Sequence, residues 1–241
     1  ITYRRNNFRR RDNILNGRVA LSNIDRAAFA ARTFSVSANI ERQSNLIYQK
    51  RWSWSAGIEL LASDERDVVG LAGRTNRQTF FIGALPATVL YDASDDLLDP
   101  KTGFRIGARI SPEVSLQDGS FFYGRGQIDA SAYFPATDNV TLAGRVRLGS
   151  IVGAGNNRIA PSRRLYAGGG GSVRGYGFQR IGPRDASNDP MGGRSLVEFS
   201  LEARVKTGFL GGNLGLVPFI DAGNVYTDPL PQFSGLRYGA G

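Results

Sequence analysis

Alternation with a period of two runs through this chain from end to end, and helical periodicity is nearly absent. From Val197 to Lys206 the apolar Val197, Phe199, Leu201, Ala203 and Val205 interleave with Glu198, Ser200, Glu202, Arg204 and Lys206. A strand sends successive side chains to opposite faces, so this segment has one greasy and one charged face. The same division sets Phe122, Ile128, Ala130, Ala132 and Phe134 against Tyr123, Arg125, Gln127, Asp129, Ser131 and Tyr133. It recurs around Val140–Leu148, Phe104–Ile110, Trp52–Leu60 and Phe34–Ile40. The stretch Thr79 to Tyr91 is the exception, apolar on both parities and interrupted by Pro86.

About nine complete strands and two partial ones are expected, most near the ~9–11 residues that cross a bilayer with tilt. Short connections (near Asn45, Asp99, Ala136 and Gly211) are expected to take turns with longer ones near Asp25, Asp67, Asp118, Arg174 and Pro229. Outer-membrane barrels have that habit. A soluble sandwich or lipocalin-like barrel also alternates. It would have to fill a wide interior with the Phe, Leu, Trp and Val parity, and soluble surfaces favour lysine. Here the 30 basic residues are almost all arginine, the lysines being Lys50, Lys101 and Lys206. Inverted, the pattern puts Arg105, Arg109, Arg125, Arg145, Arg147 and Arg204 in a wet lumen. Trp52, Trp54, Phe122 and Phe134 then meet lipid near the interfaces. The expected fold is an all-β transmembrane antiparallel β-barrel.

The formal charge of +9 suits nucleic acid, anionic lipid or an acidic partner. Arginines spread over separate strands point to a lumen; a nucleic-acid protein clusters them on one exposed patch with stacking aromatics. No nucleic-acid partner is expected. The absence of histidine and cysteine removes disulfides, Cys/His zinc sites, thiol nucleophiles and histidine bases, hence any Ser-His-Asp hydrolase. No paired carboxylates sit in an obvious cleft, so an enzyme is not expected. Asp92, Asp95, Asp96 and Asp99 lack the ligand spacing and central glycine of an EF-hand loop. They read as turn chemistry, and no metal or cofactor is expected. No run is long and apolar enough for a membrane helix. The start lacks a signal peptide's apolar core, as in a mature chain, a fragment or a cytoplasmic protein.

Between the strand ending near Val152 and the one starting near Arg194 lies a connection over about 153–193, far beyond the ~12–15 residues of ordinary loops. Its centre runs Arg164-Leu165-Tyr166-Ala167-Gly168-Gly169-Gly170-Gly171-Ser172-Val173-Arg174-Gly175-Tyr176-Gly177-Phe178. The run Gly168, Gly169, Gly170, Gly171 fits a backbone passing close to something, such as the inside of a barrel wall. No Gly-Lys-Ser/Thr follows it, so a phosphate cradle is a poor alternative.

Leu165-Tyr166-Ala167-Gly168-Gly169, Val173-Arg174-Gly175-Tyr176 and Gly182-Pro183-Arg184-Asp185 resemble the sixth extracellular loop of the BamA/TamA superfamily, the bacterial surface antigen family. Gly192-Gly193-Arg194-Ser195, Ser200-Leu201-Glu202, Pro218-Phe219-Ile220-Asp221-Ala222-Gly223-Asn224-Val225-Tyr226 and Tyr91-Asp92-Ala93-Ser94-Asp95-Asp96 resemble neighbouring strands. The wording is closest to the TamA branch and covers Thr79 to Gly241 best. The resemblance implies a loop folded into the barrel, with Arg174 on Asp221 and Glu202 as a second acceptor. Tyr176 and Phe178 would then pack the loop on the wall.

It also implies a barrel of sixteen strands preceded by periplasmic POTRA domains. This chain would be the C-terminal portion, incomplete at both ends and without a POTRA segment. The implied function is assembly, insertion or translocation of other outer-membrane proteins, autotransporters among them, through a lateral seam in the bacterial outer membrane. Expected partners are the lipid bilayer, unfolded outer-membrane protein clients, and a periplasmic or inner-membrane partner reached through the POTRA domains. The alternatives are a passive porin-like channel and a two-partner-secretion pore. A porin has no reason to carry Val173-Arg174-Gly175-Tyr176 with a matched Asp221 strand.

Overall fold

The computed structural model describes residues 1–44, 48–67, 76–116, 119–209 and 214–241. The strands are β1 (Thr2–Asn6), β2 (Ile14–Asp25), β3 (Phe29–Arg42), β4 (Trp52–Asp67), β5 (Asn76–Ala84), β6 (Ala87–Asp92), β7 (Gly103–Leu116) and β8 (Ser120–Thr137). They continue with β9 (Val140–Val152), β10 (Ser195–Lys206), β11 (Gly215–Leu216), β12 (Phe219–Tyr226) and β13 (Arg237–Ala240). All pair antiparallel in one sheet of order β1-β2-β3-β4-β5-β7-β8-β9-β10-β12-β13. Among the described residues no helix is long and apolar enough to cross a membrane, which says nothing of strands.

Two staves are split, each at a proline. β5 and β6 lie end to end between β4 and β7, separated by Leu85 and Pro86. Proline has no N–H for the ladder. Its carbonyl accepts from Gly57 at 3.0 Å, and the Leu85 N–H donates to Pro112 at 3.0 Å. β11 and β12 are divided in the same way at Pro218, whose carbonyl accepts from Ala203. Merging each split pair leaves eight staves before the long loop and three after it, matching the expected count.

The two faces separate as the alternation requires. Phe34, Trp52, Trp54, Leu60, Phe104, Ile106, Phe122, Ile128, Phe134, Leu201 and Ile220 are exposed on the convex side. Arg105, Arg125, Arg145, Arg147 and Arg204 take the opposite parity, where each pairs with a carboxylate. The parity changes character at the end of the wall that carries the long loop. There the inward positions Phe29, Phe80, Ile82, Phe121, Tyr123, Ile151, Leu196 and Val225 are buried and mostly apolar. This explains the anomaly at Thr79–Tyr91: Phe80 and Ile82 pack inward on Ala160 of the loop, while Phe81 faces outward.

Connection lengths do not alternate cleanly. The β2–β3 link near Asp25, expected to be long, is only residues 26–28, closed by the Arg26 N–H on the Phe29 carbonyl. The turn near Asp99, expected to be short, spans 93–102. Its acidic residues accept backbone N–H groups: Asp95 from Lys101 and Thr102, Asp96 from Leu98 and Asp99. Those donors hold both carboxyls below the usual carboxylate range. The connections near Asn45, Asp118 and Gly211, and the one following Asp67, lie wholly or partly outside the described residues.

Candidate functional site

The chain between β9 and β10 turns back into the concave side of the wall. Its only regular element is a single 3-10 turn, Pro161–Arg163, with proline at the first position where a missing N–H costs nothing. Isolated bridges Leu165–Gly193, Ala167–Ile181 and Arg184–Pro190 tie the loop to itself. Ile159, Leu165, Ala167, Val173 and Ile181 then bury against Phe121, Tyr123, Ile151, Leu196 and Val225 of the wall. A lumen filled this way is a packed core at its loop end and an ionic cavity below.

Arg174 is the tip of this insertion. Its Nε donates to Asp221 Oδ2 at 2.7 Å and its Nη2 to Asp221 Oδ1 at 2.8 Å, a two-pronged match of guanidinium to carboxylate. Its backbone N–H adds a third bond to Asp221 at 2.9 Å. Nη1 donates to Glu202 at 3.1 Å and Nη2 also to Ser200 at 3.0 Å. The guanidinium carbon lies 3.7 Å above the centre of the Phe219 ring. Strand register produces this convergence. Ser200 opposes Asp221 and Glu202 opposes Phe219 across β10 and β12, so all four side chains share the inner face. Asp221 is fully buried. A buried carboxylate is tolerated only with charge and hydrogen bonds supplied, and here the loop supplies both.

The flanking residues divide. Val173 is fully buried against Gly223 of β12, where an added Cβ would press on its side chain. Gly175 has φ +89, a left-handed conformation natural to glycine. Tyr176 packs on the apolar cluster and donates to the Tyr238 carbonyl of β13 at 3.1 Å. Phe178, expected on the wall, is instead exposed beneath the Arg26 guanidinium at 5.0 Å. The glycine run also behaves differently from expectation. Gly168 and Gly169 need left-handed φ of +104 and +103, with close neighbours in the loop itself. Gly170 and Gly171 face open space. The close approach is on the wall: a Cβ at Gly239 of β13 would collide with the Arg174 carbonyl.

A second docking point lies across the lumen, and sequence reasoning missed it. Ser162 donates from its backbone N–H and hydroxyl to the buried Glu65 of β4, at 2.9 and 2.5 Å. Arg163 reaches Glu59 of β4 at 2.6 Å and lies 3.6 Å from Glu113 of β7. Glu113 also accepts from the Tyr123 hydroxyl at 2.6 Å, from Arg125 at 3.2 Å and from Ser111 at 3.0 Å. The available signal was Pro161-Ser162-Arg163 ahead of the glycine run, together with glutamates on the inward parity of β4 and β7. Between the two points Arg145 holds the Gly171 and Ser172 carbonyls, at 2.9 and 3.0 Å, and Ser172 bonds Glu198. Arg145 therefore clasps loop backbone as well as lining the lumen.

An antiparallel wall that is apolar outside, ionic inside and filled by its own docked loop defines a transmembrane β-barrel of the outer-membrane kind. The family model of the Omp85 superfamily domain matches residues 1–241, and the chain belongs to that superfamily. It is a protein of the bacterial outer membrane. The outer membrane protein assembly factor BamA of Nitratidesulfovibrio vulgaris (strain Hildenborough) is 38% identical over 101 residues, which are 41% of this chain and 12% of that protein. The crystal structure of BamA from Haemophilus ducreyi lacking POTRA domains 1-3 matches with a TM-score of 0.77 at 19% identity, over 100% of this chain and 54% of that one. The chain thus spans about half of the solved relative and a small part of the curated one.

Proposed function

We propose that this chain is barrel wall from a protein that inserts or translocates other outer-membrane proteins, autotransporters among them, and that the Arg174 loop is its internal lock. No covalent chemistry is involved. A client strand is taken up by pairing with an opened strand edge, as in β-augmentation. The loop sets how readily the wall opens, because it fastens β4 and β7 to β10 and β12 through the lumen. In this reading residues 1–241 are one partial barrel domain, Arg174 is the locking residue, and Asp221 and Glu202 are its wall partners.

The observation that carries the reading is the bidentate Arg174–Asp221 pair on a fully buried carboxylate. A loop that only narrowed a pore would not need a side chain fixed this completely, with Ser200 and Glu202 engaging two further N–H donors. The test is Arg174→Ala in the full-length protein, with client assembly followed by the heat-modifiable migration of a folded client barrel. Assembly should fall while the variant itself remains inserted. Unchanged client assembly would remove the locking role and leave the fold standing.

A further inference from the structure

We propose that the β1–β2 turn and the outward arginines beside it bind anionic phospholipid headgroups of the membrane leaflet that faces the turn end of the wall. Residues 4–11 contain Arg4, Arg5, Arg9, Arg10 and Arg11, all exposed. Register decides which way the strand residues point. Arg5 opposes Leu15, and Leu15 opposes Ile40, so Arg5 is on the lipid-facing parity along with Tyr3. Arg42 opposes Trp54 on the same outward face. Arg42 thus lies beside Trp54 and Arg5 next along the outward face from Tyr3, aromatic residues of the kind that mark the membrane–water boundary.

The turn itself is shaped to present charge. Asn7, Arg9 and Asp12 have left-handed φ of 56, 58 and 67°, uncommon for residues with a side chain. The Asp12 N–H on Asn7 Oδ1 at 3.0 Å and the Phe8 N–H on the Asn13 carbonyl at 2.9 Å hold that shape. The Phe8 ring has the Arg5 guanidinium at 5.9 Å and that of Arg9 at 5.5 Å. Asp12 is the one carboxylate in the turn, and its ion pair is with Lys50 at 3.8 Å. Among the described residues Arg5, Arg9, Arg10, Arg11 and Arg42 form no salt bridge.

The opposite end of the same strands shows the contrast. There carboxylates stand among the outward arginines: Arg77 pairs with Asp64 at 2.6 Å and Arg66 with Asp25 at 3.9 Å, and Arg32 opposes Asp64 across β3 and β4. Five cations without a salt bridge are thus gathered at the turn end of β1 to β3, at the depth of the aromatic rings, whereas the other end mixes paired and unpaired arginines. A phosphodiester suits them: guanidiniums take phosphate in two-pronged fashion, and arginine stems lie along apolar surface while the heads reach water. An acidic protein in the aqueous phase would not reach Arg42 beside Trp54. The assignment of the leaflet rests on the 153–194 loop, which leaves the wall at the opposite end from this turn: the longer loops of such barrels are extracellular and the other end faces the periplasm.

The test uses the full-length protein with Trp52 and Trp54 as its only tryptophans, in phosphatidylcholine vesicles doped with brominated phosphatidylglycerol or brominated phosphatidylcholine. Each arginine near an anionic surface changes affinity by about fivefold. Quenching should show at least ~tenfold preference for the anionic lipid at low salt, declining as salt is raised. R9Q/R10Q/R11Q, which leaves the strands untouched, should lose most of it, and adding R5Q and R42Q the rest. R9K/R10K/R11K should keep it. Equal quenching by the two lipids in the unaltered protein, or a preference that survives all five glutamines, overturns the proposal. So does a photocrosslink from position 10 that captures protein and no lipid.

Discussion

The loop is held at two places that solve the same problem differently. At the β10/β12 wall one residue, Arg174, makes three hydrogen bonds to Asp221, two from its guanidinium and one from its backbone N–H, and supplies Glu202 and Ser200 as well. At the β4/β7/β8 wall the load is spread. Glu65 is served by Ser162, Glu59 by Arg163, and Glu113 by Tyr123, Arg125 and Ser111 as well as Arg163. One end depends on a single residue, the other on two, Ser162 and Arg163, which reach three wall glutamates between them, Glu113 keeping donors of its own in the wall. The first can be released by one substitution; the second yields in steps.

Asp221→Ala should be the most severe change, because it strands the guanidinium in a partly dry site. Removing one partner of an enclosed pair costs about 3–5 kcal/mol. Urea unfolding of the full-length protein in detergent micelles measures it, and limited proteolysis should show the 153–194 loop newly cleavable. A smaller loss, about 1–3 kcal/mol, is expected for Gly239→Ala, whose methyl group meets the Arg174 backbone carbonyl and forces the loop tip or β13 to shift. If Gly239→Ala unfolds at the same urea concentration as the parent, the tip does not press on β13. At the other wall Ser162→Ala should cost only about 1 kcal/mol, since the Ser162 N–H still serves Glu65. A cost equal to that of Asp221→Ala would abolish the contrast between the two ends.

Least of all is expected from the exposed turn at 93–102. Asp95 and Asp96 have lowered values in the fold, so what they contribute is present above the unfolded carboxylate range near ~4 and fades as pH falls below it. Asp96→Asn should flatten that acid limb slightly, without affecting loop protection at neutral pH. A large loss at neutral pH would mean that this turn bears on the lumen.

The wall was legible in the sequence because membrane strands obey one simple constraint: lipid on one side, water or loop on the other. That constraint repeats at every second residue, so Phe199, Leu201 and Glu202 report their faces without help from distant parts of the chain. Resemblance supplied the pairing of Arg174 with Asp221 and Glu202, which alternation alone could not. The second docking point stayed hidden because Ser162 and Glu65 are separated by 97 positions and joined by a path with no period. The glycine run misled for a related reason. Glycine marks a need for left-handed backbone or for space, and here Gly168 and Gly169 answer to the loop, whereas the tight approach falls at Gly223 and Gly239. Phe178 pointed away from the wall because Arg26 offers its ring a cation at the surface.

A double-mutant cycle on Arg174→Ala and Asp221→Ala, read by urea unfolding of the full-length protein in micelles, addresses the clamp head-on. If the guanidinium and the carboxylate hold each other, the double variant should be scarcely less stable than either single one, so that the coupling energy is as large as a single loss, about 3–5 kcal/mol. Strictly additive losses would mean that the two side chains contribute separately and that the loop is not fastened to the wall through them.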